Sequence, residues 1–320
     1  MTVFEKMKET GIVPVIKIPS VEHAVPLAKT LLEAGIPQIE VTLRNECALD
    51  CIRAIKKELP EMTVAAGTIL SPEQVHMAKE AGAELCVAPG LNEDVVKACQ
   101  EEEISLLPGA VTATEIEHGL KLGLRTFKFF PAELLGGVKT IKELTGPYSN
   151  IEFVPTSGIN MDNMGGYLSN PKVAAVGGSF MAPADKVLAK DWEGIRALCE
   201  KAVAVSHNFH LVHIGLNLEN EEAAKNMAME LGALLGIGYR AGGRSDFAGE
   251  LFECCKIKFP GEKGHIAIGV RNVERAMVYL QKKGYAMREE FKNYNSAGKL
   301  NAVYLEKEFG GFAVHLLNRP

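Results

Sequence analysis

The sequence predicts an α/β chain: a (β/α)8 barrel over residues 1–205 and a smaller α+β domain over residues 206–320. Two observations carry the first half. Short Val/Ile-rich runs recur with a pulse of about 20 residues, and amphipathic helical segments separate them. A third observation carries the second half. Near residue 206 the pulse stops, and an imperfect repeat begins in which His213-Ile-Gly-Leu and His265-Ile-Ala-Ile-Gly each open a unit followed by a helix.

In order, the predicted barrel strands are Ile12–Ile18, Gln38–Leu43, Val64–Thr68, Leu85–Pro89, Ile104–Pro108, Thr126–Pro131, Glu152–Thr156 and Val173–Gly177. Helices are expected between them at Val21–Ala34, Cys47–Leu59, Pro72–Ala81 and Asp94–Glu103. Ser20, Ser71-Pro72, Asn92 and Thr112 supply cap or first-turn chemistry. Near-continuous apolar strands alternating with helices require a parallel sheet covered on its outer face, and eight such units close into a barrel. An open doubly wound sheet is the alternative. A last barrel helix is expected near Asp191–Val205. Beyond it the pattern predicts strands at Leu211–Leu218, Leu251–Phe259, Ile266–Val270, Ala302–Glu306 and Phe312–Leu317, with helices at Glu221–Leu234 and Val273–Lys283.

Composition narrows the function classes. With 47% hydrophobic and 23% charged residues and a mean hydropathy of +0.04, the chain has enough apolar residues for sizeable cores. No window reaches the ~18 uninterrupted apolar residues of a bilayer span. The opening MTVFEKMKETG lacks the apolar stretch of a secretory signal. A net charge of −5 leaves no basic footprint for a nucleic acid. Seven scattered cysteines fit reduced thiols in a cytoplasmic protein. Cys47 and Cys51, at i and i+4, read as small buried hydrophobes rather than metal ligands.

Active groups of a parallel barrel come from the carboxyl ends of its strands. Alternation along the second strand places Glu40, Thr42 and Arg44 on the inward face. Lys128 stands among Phe127, Phe129 and Phe130, where burial would lower its pKa and yield the neutral amine that forms an imine with a carbonyl. The plainer reading of Lys128 is a strand-end lysine that reaches solvent or pairs with Glu40. Lys17, at the end of the first strand, is a second candidate cation in a less enclosed setting. The turns Thr156-Ser157-Gly158 and Gly177-Gly178-Ser179 lead into helices where barrels bind phosphate, although either turn alone also reads as a tight βα connection.

These residues carry a resemblance. Glu40-Val-Thr-Leu-Arg44, Ala66-Gly-Thr68, Pro89-Gly, Leu107-Pro-Gly109, Phe127-Lys-Phe-Phe-Pro-Ala-Glu133 and Gly177-Gly-Ser179 together resemble the class I 2-keto-3-deoxy-6-phosphogluconate aldolases, which overlap with 4-hydroxy-2-oxoglutarate aldolases. The resemblance covers residues 1–205 and implies a TIM-barrel lyase without a cofactor. It implies that Lys128 forms a Schiff base, Glu40 is the general acid/base, and Arg44 and Thr68 hold the substrate carboxylate. Ser157, Gly158, Gly177, Gly178 and Ser179 would hold phosphate, and Pro89, Lys17 and Phe130 would line the pocket. The family usually has Gly-Gly after the seventh-strand threonine, and here Ser157 replaces the first glycine. The implied partners are a phosphorylated 2-keto sugar acid and pyruvate, and the implied assembly is a homo-oligomer, a trimer. Preference for the galactonate epimer, or a phosphosugar isomerase or epimerase on the same barrel, are the alternative activities.

The second domain resembles the glyoxalase/vicinal-oxygen-chelate superfamily, with βαβββ units, through His213-Ile-Gly-Leu, Gly264-His265-Ile-Ala-Ile-Gly-Val and Gly310-Gly-Phe-Ala-Val-His315-Leu. That resemblance implies a divalent metal held by His213, Glu253, His265 and His315, with His315 in place of the usual last glutamate. The competing expectation is a metal-free binding or assembly module. His207 and His210, regularly spaced with His213, do not all face one way if a strand begins at Leu211.

Overall fold

The computed structural model describes residues 1–296 and 298–319. The chain divides into two units, Met1–Ser206 and His207–Pro320.

The first unit carries eight parallel strands: β1 (Ile12–Ile16), β2 (Gln38–Thr42), β3 (Thr63–Gly67), β4 (Leu85–Val87), β5 (Ser105–Leu107), β6 (Thr126–Phe129), β7 (Glu152–Pro155) and β8 (Val176–Gly178). Each lies on or within two residues of a predicted run, and most are shorter. The difference is physical. In the first seven, the last one or two residues of the run, such as Thr68, Pro89 and Thr156, leave the ladder to form the βα turns, whereas β8 starts three residues later than its run and ends at Gly178. One parallel ladder runs in the order β5-β4-β3-β2-β1-β8, and β6 pairs with β7. Single parallel bridges join Gly109 to Lys128, Phe153 to Val173 and Thr156 to Gly177. The parallel sheet therefore curls round an interior of Val13, Ala65, Leu85, Val87, Leu107 and Val154.

Helices cover the outer face: α1 (Val3–Thr10), α2 (Val21–Glu33), α3 (Ala48–Glu58), α4 (Pro72–Glu80), α5 (Glu93–Glu101), α6 (Ala113–Lys121), α7 (Gly137–Thr145), α8 (Met164–Leu168), α9 (Ala184–Leu188) and α10 (Trp192–His207). Sequence reasoning missed α1, which is the exception to the outer covering. Its Val3 and Met7 join the interior cluster with Val13 and Leu85. A reciprocal capping box starts it, Thr2 Oγ1 accepting from the Glu5 N–H and the Glu5 carboxylate accepting from the Thr2 N–H. The Thr-x-x-Glu pattern is legible in the sequence and was the available signal.

Of the expected caps, Ser71 accepts from the Gln74 N–H, Asn92 from the Asp94 N–H and Thr112 from the Glu115 N–H. Ser20 does not cap α2, because its hydroxyl pairs with His23 Nδ1 at 2.7 Å. All seven cysteines are free thiols. Cys51 is buried, and burial with Cys47 beside it pushes its thiol up to about 12. Among the described residues no helix is long and apolar enough to cross a membrane.

Among the described residues the second unit is one eight-stranded sheet with two helices. Its elements are β9 (His210–Asn217), α11 (Glu221–Leu235), β10 (Tyr239–Arg240), β11 (Ser245–Ala248), β12 (Phe252–Cys255), β13 (Gly264–Val270), α12 (Val273–Lys282), β14 (Met287–Tyr294), β15 (Leu300–Phe309) and β16 (Phe312–Asn318). The order β10-β11-β12-β9-β13-β16-β15-β14 puts β9 and β13 side by side and antiparallel at the centre. Strands β10, β11 and β14 were not anticipated. β14 reads MREEFKNY and β10 is two residues long, and both lie at sheet edges, where charges and short length guard against further pairing and erase the apolar alternation. Core residues Val270, Val273, Ala276, Val303 and Leu316 join α12 to the sheet.

Candidate active site

At the carboxyl ends of the strands the first unit opens into a cavity of about 480 Å³. β2 supplies Glu40 and Thr42, both buried, and the following turn supplies the exposed Arg44. Glu40 is 3% exposed, and its carboxylate has room because the neighbouring strand carries glycine. A Cβ at Gly67 would lie 2.2 Å from Glu40 Oε1. Sequence reasoning quoted Gly67 only as part of a motif and missed this service.

Lys128 projects from β6 into the same cavity, and its Nζ donates to Glu40 Oε1 at 3.3 Å. The pair is deeply withdrawn, with side chains 10% and 3% exposed. The expected aromatic enclosure needs correction. Successive strand residues point to opposite faces, so Phe127 and Phe129 lie on the face opposite Lys128. Both rings pack against Phe153, with centroids 6.2 and 5.7 Å apart. Only Phe130 accompanies the amine, its ring centroid 5.8 Å from Nζ. Lys17 also lines the cavity but is exposed.

Two non-glycine residues at the mouth hold left-handed backbone, Thr68 at φ 65 and Ser157 at φ 80. Side chains pay for that conformation in strain, and such positions gather at functional sites. Ser157, Gly158, Gly178 and Ser179 line one side of the cavity, and Thr68 and Pro89 also line it. Gly177 does not. It is buried, and a Cβ there would meet Thr156 Cγ2 at 2.3 Å, so its place is to let β7 and β8 approach. Thr156, which the sequence offered only as the start of a turn, also lines the cavity. It is 5% exposed and its Oγ1 has no hydrogen-bond partner, so a donor and acceptor wait at the cavity wall.

A second cluster lies in the second unit. The ligand atoms of His213, His265 and His315 fall within 4.8 Å of one another. Glu253 Oε2 lies 3.2 Å from His213 Nε2 and 3.4 Å from His265 Nε2. Ser245 Oγ donates to the other carboxylate oxygen at 2.7 Å. Burial pushes the Glu253 carboxyl up, but hydrogen bonds from His213, His265 and Ser245 outweigh it and hold the group well below the usual carboxylate range. Burial, with His265 and His213 nearby, pushes the His315 imidazole down to about 3.

His265 Nδ1 and both nitrogens of His315 are buried without hydrogen-bond partners. Three imidazoles, two of them with bare nitrogens, converging on a carboxylate form the donor set a divalent transition metal takes. Gly215 makes the space, since a Cβ there would lie 2.1 Å from the His265 ring. His207 and His210 stand apart. His207 is buried against Phe209 and Tyr279, with ring centroids at 5.2 and 4.4 Å, and His210 Nδ1 bonds Asn208 O.

The comparisons with known proteins concern the first unit. A KHG/KDPG aldolase of Escherichia coli K12 is 48% identical over 200 residues, 62% of this chain and 94% of that one. A 2-dehydro-3-deoxy-phosphogluconate aldolase of Dickeya dadantii is 46% identical over 193 residues, 60% of this chain and 91% of that one. Among solved structures, the Legionella pneumophila KDPG aldolase, with pyruvate captured as a covalent carbinolamine intermediate, is similar at a TM-score of 0.60 and 36% identity, covering 62% of this chain and 97% of that one. The Zymomonas mobilis ZM4 enzyme with 3-phosphoglycerate is similar at a TM-score of 0.60 and 40% identity, covering 62% of this chain and 94% of that one. Residues 3–198 match the family model described as KDPG and KHG aldolase, and with the curled parallel sheet and the lysine at its mouth this places the chain in the KDPG and KHG aldolase family.

Proposed function

We propose that the first unit is a Schiff-base lyase that cleaves 2-keto-3-deoxy-6-phosphogluconate to pyruvate and glyceraldehyde 3-phosphate, and 4-hydroxy-2-oxoglutarate to pyruvate and glyoxylate. The observation that carries it is the withdrawn Lys128–Glu40 pair, 3.3 Å apart at the cavity wall. Lys128, after giving up its proton, attacks the C2 ketone as the amine; the carbinolamine hydroxyl takes up a proton and leaves as water, and an iminium remains. The iminium draws the electrons of the C3–C4 bond as that bond breaks. Glu40 takes the C4 hydroxyl proton, releasing the aldehyde and leaving an enamine. Protonation at C3 and hydrolysis return pyruvate and the free amine. Arg44 and Thr68, which line the cavity, would take the carboxylate, and Ser157, Gly158, Gly178 and Ser179, which also line it, would take the phosphate. Pyruvate release, followed through a coupled lactate dehydrogenase assay on both substrates and on the galactonate epimer, tests the activity. No pyruvate from any of the three overturns it.

The closed (β/α)8 barrel belongs to this reading, supported by the bridges that link the six-strand ladder to the β6–β7 pair. A homotrimer and a cytoplasmic location complete it, the latter supported by seven free thiols.

Ser157 gives a further prediction. Its left-handed φ of 80 suits glycine, and a side chain there costs about 1 kcal/mol. Ser157→Gly is expected to raise thermal stability by about that amount while raising KM for the phosphorylated substrate. The KM for 4-hydroxy-2-oxoglutarate should stay unchanged, and parallel melting and kinetic measurements check the split.

The second unit we read as a glyoxalase-like module of two βαβββ halves that binds one divalent metal through His213, Glu253, His265 and His315. The bare nitrogens of His265 and His315 support this. Bound there, a metal would act as a Lewis acid. Elemental analysis should find one metal per chain after loading, and none in His265→Ala. Equal metal content in the two proteins would remove His265 from the centre.

A further inference from the structure

The turn read as taking the phosphate is braced by residues that do not line the cavity. Ser157 and Gly158 line it, and both hold left-handed backbone, at φ 80 and φ 79. Two such residues in a row persist only where their surroundings hold them. Their carbonyls are held from outside. The Glu133 N–H donates to Ser157 O at 3.3 Å, and Asn163 Nδ2 donates to Gly158 O at 2.9 Å. One residue earlier, the Ala132 N–H donates to Thr156 O at 2.8 Å. The turn after β7 is thus tied to the segment that leaves β6, the strand of Lys128. Among the described residues no hydrogen bond takes the N–H of Ser157 or Gly158, which leaves two main-chain donors for an anion.

Glu133 brings a negative charge to this place. Its stem packs on the turn, since a Cβ at Gly158 would lie 2.5 Å from Glu133 Cγ and 2.6 Å from its Cβ. A carboxylate this close to a bound phosphate repels it. The charge is drawn aside by Tyr167 of α8, whose hydroxyl donates to Glu133 Oε1. Tyr167 is 2% exposed, whereas Glu133 is exposed and has other rotamers open to it. Gly137 keeps the room for this bond, because a Cβ there would lie 2.7 Å from the Tyr167 hydroxyl oxygen and 3.0 Å from Glu133 Oε1. Burial, with the bond to Glu133 and its charge, pushes the Tyr167 phenol up, so it remains a donor at neutral pH.

We propose that Tyr167 is a positioning residue for the phosphorylated substrate: its buried hydroxyl holds the Glu133 carboxylate back from the Ser157-Gly158 turn, while the stem and main chain of Glu133 brace that turn. This rests on the reading of the turn as the phosphate site. It gives a role in substrate choice to two side chains that stand outside the cavity lining.

The test compares 2-keto-3-deoxy-6-phosphogluconate with its dephosphorylated analogue, 2-keto-3-deoxygluconate, on the full chain. Tyr167→Phe frees the carboxylate and is expected to raise KM for the phosphorylated substrate about tenfold with kcat unchanged. KM for the dephosphorylated analogue should not move, nor should adduct formation between Lys128 and pyruvate. Glu133→Gln keeps the stem and an acceptor for the phenol, so it should match the parent chain. The double variant Glu133→Gln/Tyr167→Phe removes the charge and should restore most of the lost affinity, which a loss of packing alone would not do. An unchanged KM in Tyr167→Phe overturns the proposal, as does an equal rise for both substrates or a double variant no better than Tyr167→Phe. A parent chain with the same KM for both substrates overturns the phosphate site and this proposal with it.

Discussion

Lys128→Met is expected to lower turnover of the phosphorylated substrate by at least about 10⁴-fold, since it removes the nucleophile and with it the iminium that accepts the C3–C4 electrons. Methionine keeps most of the side-chain volume, so the cavity wall should survive. Stability should fall as well. Glu40 is 3% exposed and would lose its cation, and breaking one side of a buried pair costs about 3–5 kcal/mol. The double variant Lys128→Met/Glu40→Gln should recover most of that stability and none of the activity. Denaturant titration beside steady-state kinetics checks both halves. A lysine serving only as Glu40's structural partner would reproduce the stability pattern while leaving substantial turnover in Lys128→Met.

Gly67→Ala carries the second largest expected effect, and it leaves every reacting group in place. The new Cβ would stand 2.2 Å from Glu40 Oε1, so the carboxylate must leave its seat. Gly67 is not among the left-handed residues, and its backbone accepts alanine. Turnover should fall by about 10²–10⁴, the range for losing a general acid/base, while Lys128 still forms an adduct with pyruvate. Comparing kcat with single-turnover adduct formation in the variant separates the two steps. Unchanged kcat would mean that Glu40 does not need this position.

How much of this was legible follows from which face each residue takes. The parallel strands of the first unit are buried on both sides, so their apolar runs stand out; inward alternation brings Glu40 and Thr42 to the cavity, and Arg44 reaches it from the turn that follows. The same alternation, carried through β6, would have turned Phe127 and Phe129 away from Lys128. Applied to the end of β7, it would have picked out Thr156. The edge strands β10 and β14 of the second unit were hidden because their residues answer to solvent rather than to a core. Its pairing rows depend on register between strands some fifty residues apart, as between His213 and His265. No local pattern brings Glu253 within 3.2 Å of His213 and 3.4 Å of His265, so that contact emerges only from the folded sheet.

Borohydride reduction in the presence of pyruvate, followed by peptide mapping, tests the central claim most directly. A single stable pyruvyl adduct is expected on the peptide that carries Lys128, lost in Lys128→Met and retained in Glu40→Gln. An adduct on Lys17, or none at all, would contradict it.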